Sequence, residues 1–127
     1  MEGGDAGARK RRRLSRSGDF DRVFREGFSH ATRHLVVYSF PREQADDAPA
    51  IRLGISVSRK VGGSVARNRV KRTLREAFWA LGDRLPRGHD FVIVARPAAA
   101  SLVEREGAEG IRRHLLEALD ETAQRER

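Results

Sequence analysis

The stretch KVGGSVARNRVKRTLREAF, residues 60–78, joins a glycine turn to a segment whose apolar side chains recur at helical spacing. At 100° per residue, these side chains fall within an arc of about 120°, which predicts one buried helix face. The apolar stripe consists of Ala66, Val70, Leu74, Ala77, Phe78 and Leu81. The pattern predicts a helix over residues 65–81, with Ser64 as its N-cap.

The charge of this segment is concentrated on the other face of the predicted helix. Residues 59–75 contain seven basic residues and no acidic residue, and the first acid is Glu76. Arg67 and Arg69 fall in the first turn, where the positive end of the helix dipole disfavours a cation by roughly 0.3–1 kcal/mol. A solvated helix face usually mixes charge signs at i, i+4 spacing. The clustering therefore favours nucleic acid as a partner over an ordinary solvated face.

Further elements are predicted on both sides of this helix. Residues 17–27 predict a short helix that ends at a glycine, and residues 109–126 predict an amphipathic helix. Segments rich in β-formers predict three strands, over residues 34–40, 51–58 and 90–95. The order is helix-strand-strand-helix-strand-helix, with a crossover between the two strands that flank the basic helix. The predicted fold class is α+β, as a two-layer α/β sandwich with its helices packed on one sheet.

The composition limits the number of domains and the compartment. A chain of 127 residues, of which 39% are hydrophobic, can form one modest core. We predict a disordered basic tail over residues 1–13 and a single domain over residues 14–127. The net charge is +8, but residues 104–127 hold five basic and seven acidic residues, so the positive excess is local. The chain has no cysteine and no apolar run of about 18 residues, which predicts a cytoplasmic protein without a membrane partner.

No arrangement of catalytic residues stands out in the sequence. The four histidines are scattered and have no cysteine nearby, which disfavours a metal site. There is no Gly-x-Ser-x-Gly elbow and no carboxylate pair in an apolar setting. The segment VGGSVARN, residues 61–68, lacks the Gly-Lys-Ser/Thr ending of a P-loop. We predict no catalytic residue, no bound metal and no small-molecule substrate for the protein alone.

The aromatic residues of the first helix have two interpretations. Phe20 and Phe24 share one face at i, i+4 spacing, which is typical of core residues. They are also suited to stacking with unpaired bases, which is how single-stranded RNA is commonly held. Tyr38 lies on a predicted strand, where its ring packs in the core or faces a groove.

Four segments, in this order, resemble the bacterial ribonuclease P protein component: FDRVFREG, HLVVYSF, RLGISVSRKVGGSVARNRVKRTLREAF and FVIVARPAA. The resemblance covers residues 15–97 and is most specific at Arg67-Asn68-Arg69. It implies an α/β sandwich with a left-handed βαβ crossover, against the usual right-handed rule. It also implies the protein subunit of a ribonucleoprotein whose RNA subunit removes the 5′ leader of precursor tRNA. The Mg²⁺ ions of that reaction are expected to be bound largely by the RNA.

The resemblance implies two binding surfaces. The ribonuclease P RNA is expected along the basic loop and helix, at Arg59, Lys60, Arg67, Asn68, Arg69, Lys71, Arg72 and Arg75. The leader of precursor tRNA is expected in a cleft between the first helix and the sheet, at Phe20, Phe24, Tyr38, Ser56 and Ser58. The alternative is a ribosomal-type or RNA-chaperone protein that binds structured RNA without processing it. A helical DNA reader is disfavoured, because a strand and not a helix precedes the basic helix.

Overall fold

A computed structural model describes residues 11–14, 17–42 and 50–126. The helices are α1 (Ser17–Glu26), α2 (Ser64–Trp79) and α3 (Ala99–Glu126). The strands are β1 (Arg11–Arg13), β2 (Phe28–Ala31), β3 (Leu35–Pro41), β4 (Ile51–Val57) and β5 (His89–Ala95). A single turn of 3₁₀-helix, Gly82–Arg84, connects α2 to β5.

The strands form one mixed five-stranded sheet in the order β1-β4-β5-β3-β2. β4 and β5 are parallel neighbours, with Ile55 opposite Ile93, and α2 connects them, which confirms the predicted crossover. β3 is antiparallel to both β5 and β2, while β1 is parallel to β4. The three strands predicted from β-forming residues are therefore the three central strands of the sheet.

The helices cover both faces of this sheet, so the predicted two-layer arrangement is wrong. Leu35 and Val37 of β3 pack in the main core with Leu74 of α2 and with residues of α3. Val92 of β5 packs on the opposite face in a smaller cluster with Val23 of α1. The reason is that β3 and β5 are apolar on both faces, and a strand of this kind needs cover on each side.

The predicted disorder of the tail is wrong for residues 11–13, which form β1 against the outer edge of β4. The next residue, Leu14, is only 2% exposed, and its N–H donates to the Leu53 carbonyl at 2.9 Å. Main-chain pairing with β4 and the burial of Leu14 stabilise this strand. The remainder of the predicted tail, residues 1–10, lies outside the described residues.

Three other elements differ from the prediction. β2 was not predicted, because four half-buried or exposed residues, FSHA, give no clear alternation. α2 begins after Gly63, which makes no side-chain capping hydrogen bond, so the prediction of Ser64 as N-cap is wrong. α3 begins at Ala99, ten residues before the predicted residue 109, and is interrupted at Gly107 (φ 62°, ψ −152°). Burial of Leu102 and Val103 against the core stabilises the early part of α3.

Candidate RNA interface

Helix α1 lies across the three central strands. Gly54, Val92 and Tyr38 are in register on β4, β5 and β3, and they form one row across the sheet. A Cβ atom added at Gly54 would lie 2.5 Å from Cζ of Phe20, so the Phe20 ring rests directly on the β4 backbone. Phe24 contacts Tyr38 edge-on at the other end of the row, with ring centroids 4.9 Å apart.

The two phenylalanines of α1 are therefore in different environments. Phe20 is half-buried against Gly54, which requires glycine there because any side chain would collide with the ring. Phe24 is 39% exposed, which is high for a large apolar side chain beside an aromatic neighbour. Of the two rings, Phe24 is the one that is accessible for stacking with a base.

One row further along the strands, the sheet face beside α1 is only half-buried. Ser56, Val94 and Val36 are in register there, on the same face as Gly54 and Tyr38. Four of the five residues predicted for the leader cleft, Phe20, Phe24, Tyr38 and Ser56, are thus brought together on one face. Ser58 lies just past the end of β4, is exposed, and its Oγ accepts a hydrogen bond from the Lys60 N–H at 3.3 Å.

On the other side of α1 the sheet face is closed by a buried ion cluster. The Asp90 carboxylate is only 1% exposed; it accepts from Arg42 Nη1 at 2.6 Å and from Arg52 Nε and Nη2 at 2.7 Å each. Arg52 also lies 3.6 Å from Asp19 in the first turn of α1. These ion pairs link α1 to β4 and β5. These residues were not predicted from the sequence, although an acid at the start of an apolar strand was a usable signal.

The eight residues predicted to bind RNA lie along α2 and the loop before it. Six of them are exposed, namely Arg59, Lys60, Asn68, Arg69, Arg72 and Arg75, while Arg67 and Lys71 are half-buried. The Nε atom of Arg67 is buried and makes no hydrogen bond within the described part of the chain.

The cations of α2 differ from those of α3 in their partners. Within residues 11–14, 17–42 and 50–126, none of the seven basic residues from Arg59 to Arg75 forms an ion pair with a carboxylate. On α3, in contrast, Arg112 pairs with Glu109 and Arg113 pairs with Glu106. Charges left without internal partners are available to an anion from outside the molecule.

The first turn of α2 adds main-chain donors to this surface. The first N–H groups of a helix have no partner within the helix, and no side chain caps them here. Arg59 and Lys60 precede this turn, and Arg67 and Asn68 lie within it or directly after it. The positive end of the helix and its cations thus face the same region, which is an arrangement that favours phosphate.

The described residues include neither a candidate metal site nor a candidate membrane span. No group of three or more His, Cys, Asp or Glu residues there is placed to hold a metal ion. No described helix combines the length and the hydropathy that a membrane crossing requires.

This chain has relatives among known proteins. Residues 8–121 match the Ribonuclease P family. The chain belongs to the ribonuclease P protein family. The ribonuclease P protein component of Bacillus cereus strain B4264 is 41% identical to it over 98 residues, which are 77% of this chain and 83% of that protein.

Solved structures of the same family have the same fold. The RNase P protein of Staphylococcus aureus superposes with a TM-score of 0.71 at 33% identity, covering 85% of this chain and 92% of that one. The RNase P protein of Thermotoga maritima superposes with a TM-score of 0.70 at 33% identity, covering 83% and 92%. The shared fold is α+β, with three helices and a five-stranded mixed sheet.

Family membership decides between the functions that the sequence left open. The chain is a subunit of the ribonuclease P endoribonuclease, a ribonucleoprotein that processes the 5′ ends of precursor tRNA. Family membership therefore excludes the alternative, in which the chain is a ribosomal-type protein or an RNA chaperone without a processing role.

Proposed function

We propose that this subunit binds the ribonuclease P RNA along α2 and the loop before it, and the 5′ leader of precursor tRNA in the cleft beside α1. The observation that carries the proposal is the row of seven cations without carboxylate partners in the described part of the chain. Phosphate contacts supply a large share of the affinity in protein–nucleic acid complexes, and arginine, lysine and helix N–H groups are the usual donors.

The leader cleft is proposed from the exposed ring of Phe24 and the open row beside it. Unpaired RNA bases stack on aromatic side chains, and each base stacked in this way contributes about 1–3 kcal/mol without strong sequence preference. Phe24 and Tyr38 offer the rings, and the Ser56 hydroxyl offers a donor and an acceptor on the same face. Low sequence preference suits a leader, which differs between precursor tRNAs.

The two surfaces meet at the carboxyl end of β4. Ser56 lies near the end of that strand, Ser58 follows it, and Arg59 and Lys60 begin the basic loop. A leader strand that leaves the cleft at this end reaches the cations at the start of α2. We propose that the protein thereby holds the leader close to the RNA subunit that cleaves it.

In the proposed holoenzyme the protein contributes binding and not bond cleavage. The catalytic Mg²⁺ ions are bound largely by the RNA subunit, and the cations of α2 reduce the repulsion between that RNA and precursor tRNA. We propose a cytoplasmic location, a single RNA-binding domain that begins at β1 and not at residue 14, and a left-handed β4–α2–β5 crossover.

The test is cleavage of precursor tRNA by a bacterial ribonuclease P RNA at low Mg²⁺, with and without this protein. The RNA alone should be slow under this condition, and addition of the protein should raise the cleavage rate. Protein freed of RNA should leave the precursor intact. The proposal is wrong if the protein does not stimulate cleavage, or if the protein without RNA cleaves the precursor.

A further inference from the structure

A groove of about 370 Å³ lies at the outer edge of β4. Its walls carry two aromatic side chains and four cations, and the backbone around Gly54 forms its floor. These six side chains are Phe20, Trp79, Arg12, Arg13, Lys71 and Arg75. The described residues that line the groove include no acid. Its volume is at the small end of the range for ligand pockets, roughly 300–1,000 Å³.

The groove lies at the end of a row of three cations and one aromatic residue along α2. Arg67, Lys71, Arg75 and Trp79 are spaced by four residues, so they follow one another along one side of the helix. The last three of these residues line the groove. An RNA backbone whose phosphates contact these cations in turn therefore reaches Trp79 at the end of α2.

The floor of the groove offers main-chain hydrogen-bonding groups. β1 pairs with β4 only as far as Leu53, whose carbonyl accepts from the Leu14 N–H. Main-chain N–H and C=O groups of alternate residues in a strand point to the same edge, so those of Ile55 point toward the groove. A nucleobase in the groove would meet this main-chain donor and acceptor in addition to the Trp79 ring.

We propose that this groove binds one unpaired nucleotide of the ribonuclease P RNA. Its base contacts Trp79, and its phosphates contact Lys71 and Arg75. The site is separate from the leader cleft, which lies on the sheet face between α1 and Ser56. The proposal assigns Trp79 to the RNA subunit and Phe24 to the leader. It rests on RNA binding by α2.

Trp79 is the sole tryptophan of the chain, so its fluorescence reports on the groove directly. The probes are a pentaadenylate and an abasic oligomer with the same number of phosphates. Each probe is titrated until binding is saturated, and the fluorescence anisotropy of a labelled copy of the probe measures saturation. Pentaadenylate should quench the Trp79 emission saturably, and the abasic oligomer should not. Equal changes with both probes would mean that only phosphate is bound near α2. Unchanged emission at saturation with pentaadenylate would also overturn the proposal.

A second measurement uses the complete ribonucleoprotein. Trp79→Leu should weaken binding of the ribonuclease P RNA at least about fivefold, the lower bound for one lost stacked base. Trp79→Phe should restore most of the affinity, since it keeps an aromatic ring. Arg113→Ala, on the far helix, is the matched control and should bind as the unmodified protein does. A fall in Tm for Trp79→Leu that matches its loss of affinity would assign Trp79 a purely structural role.

These outcomes are distinguishable from failure of the proposed function. If the unmodified protein stimulates cleavage of precursor tRNA and Trp79→Leu binds the RNA normally, the groove is not a nucleotide site and α2 remains the RNA surface. If the unmodified protein stimulates no cleavage, the proposed function itself is wrong, whatever the fluorescence shows.

Discussion

At the scale of single residues, the environment of each side chain decides its role, and residue type does not. Phe20 and Phe24 are one turn apart on α1, yet one ring rests on Gly54 and the other is 39% exposed. Asp90 and Glu109 are both acids that pair with arginine, but Asp90 is 1% exposed and Glu109 is on the surface. Substitutions at these positions should therefore have different consequences.

Phe24→Ala should reduce binding of precursor tRNA more than binding of mature tRNA. If Phe24 stacks on a leader base, its loss costs about 1–3 kcal/mol, or at least about fivefold in the preference for the leader. The measurement is the dissociation constant of each tRNA from the complex with ribonuclease P RNA. Val23→Ala is the matched control, because Val23 is fully buried on the same helix. It should lower the Tm and affect both tRNAs equally. The same behaviour from Phe24→Ala would make Phe24 a core residue.

Asp90→Asn should destabilise the fold substantially. Removing the charge leaves Arg42 and Arg52 without their shared carboxylate, and breaking a buried pair typically costs about 3–5 kcal/mol. Urea unfolding followed by circular dichroism measures the loss. Glu109→Gln removes an exposed partner of Arg112 and should change the stability by less than about 1 kcal/mol. Equal effects of the two substitutions would contradict the role given to the buried cluster.

At the scale of elements, the helices have separate tasks. α2 buries one stripe in the core, at Val70, Leu74, Ala77 and Phe78, and presents its cations on the other side. α3 pairs Arg105, Arg112 and Arg113 with its own acids and packs against α2 and the strands. The two long helices are thus distinguished by whether their charges are neutralised internally.

RNA binding through α2 should depend strongly on salt. If about five phosphates are engaged, the logarithm of the association constant should fall against log salt with a slope of about −3.5 to −4.5. Arg69→Ala or Arg72→Ala should make that slope shallower by about one unit each. Arg113→Ala should leave it unchanged, because Arg113 is paired with Glu106. A nearly flat response for the unmodified protein would identify the basic face of α2 as merely solvated.

Gly107→Ala should destabilise α3. The Gly107 dihedral angles, φ 62° and ψ −152°, lie in a region that is essentially restricted to glycine, and other residues there cost of order 1–3 kcal/mol. Apart from its chain neighbours and the nearby backbone of the same helix, no heavy atom lies within 4 Å of the position that a Cβ would occupy, so backbone strain is the main expected penalty. The Tm from thermal unfolding measures it. An unchanged or higher Tm would show that α3 accommodates a regular turn at this position.

At the scale of the whole molecule, contacts between distant segments hold the surfaces in place. Ser39 Oγ donates to Glu126 near the end of α3 at 3.0 Å, and His89 Nε2 contacts the same carboxylate at 3.0 Å. His34, the residue before β3, forms an edge-on pair with His114 of α3, with ring centroids 5.0 Å apart. The end of α3 and its middle are thus both attached to the sheet through ionisable groups.

The stability of the fold should fall as the pH drops below 6.5, in part because of His34. Burial, and then the neighbouring His114, Arg105 and Arg33, lower the pKa of His34 below its ordinary value of 6.5, while Glu106 opposes the shift. The unfolded chain therefore binds this proton first, so the contribution of His34 is complete above pH 6.5 and is lost as the pH falls through that range. His34→Gln should reduce the decline in the free energy of unfolding between pH 7 and pH 5. An identical decline in both proteins would exclude His34 as a cause.

The sequence by itself determined the elements whose information is local. The basic helix α2, its buried stripe, the alternation of β4 and the apolar character of β3 and β5 follow from periodicity within about 7 to 17 residues. The row of cations on α2 was predictable for the same reason, since a run without acids is visible without a fold. The crossover between β4 and β5 followed from element order.

Only the tertiary structure decided the features that depend on pairing between distant segments. β1 and β2 have no periodic signal and form because a neighbouring strand offers unpaired main-chain groups. The face that α1 covers, the different environments of Phe20 and Phe24, and the Asp90 cluster depend on strand register across β4, β5 and β3. A local pattern records whether a side chain is apolar or charged, but not which distant backbone or counter-charge it meets in the folded chain.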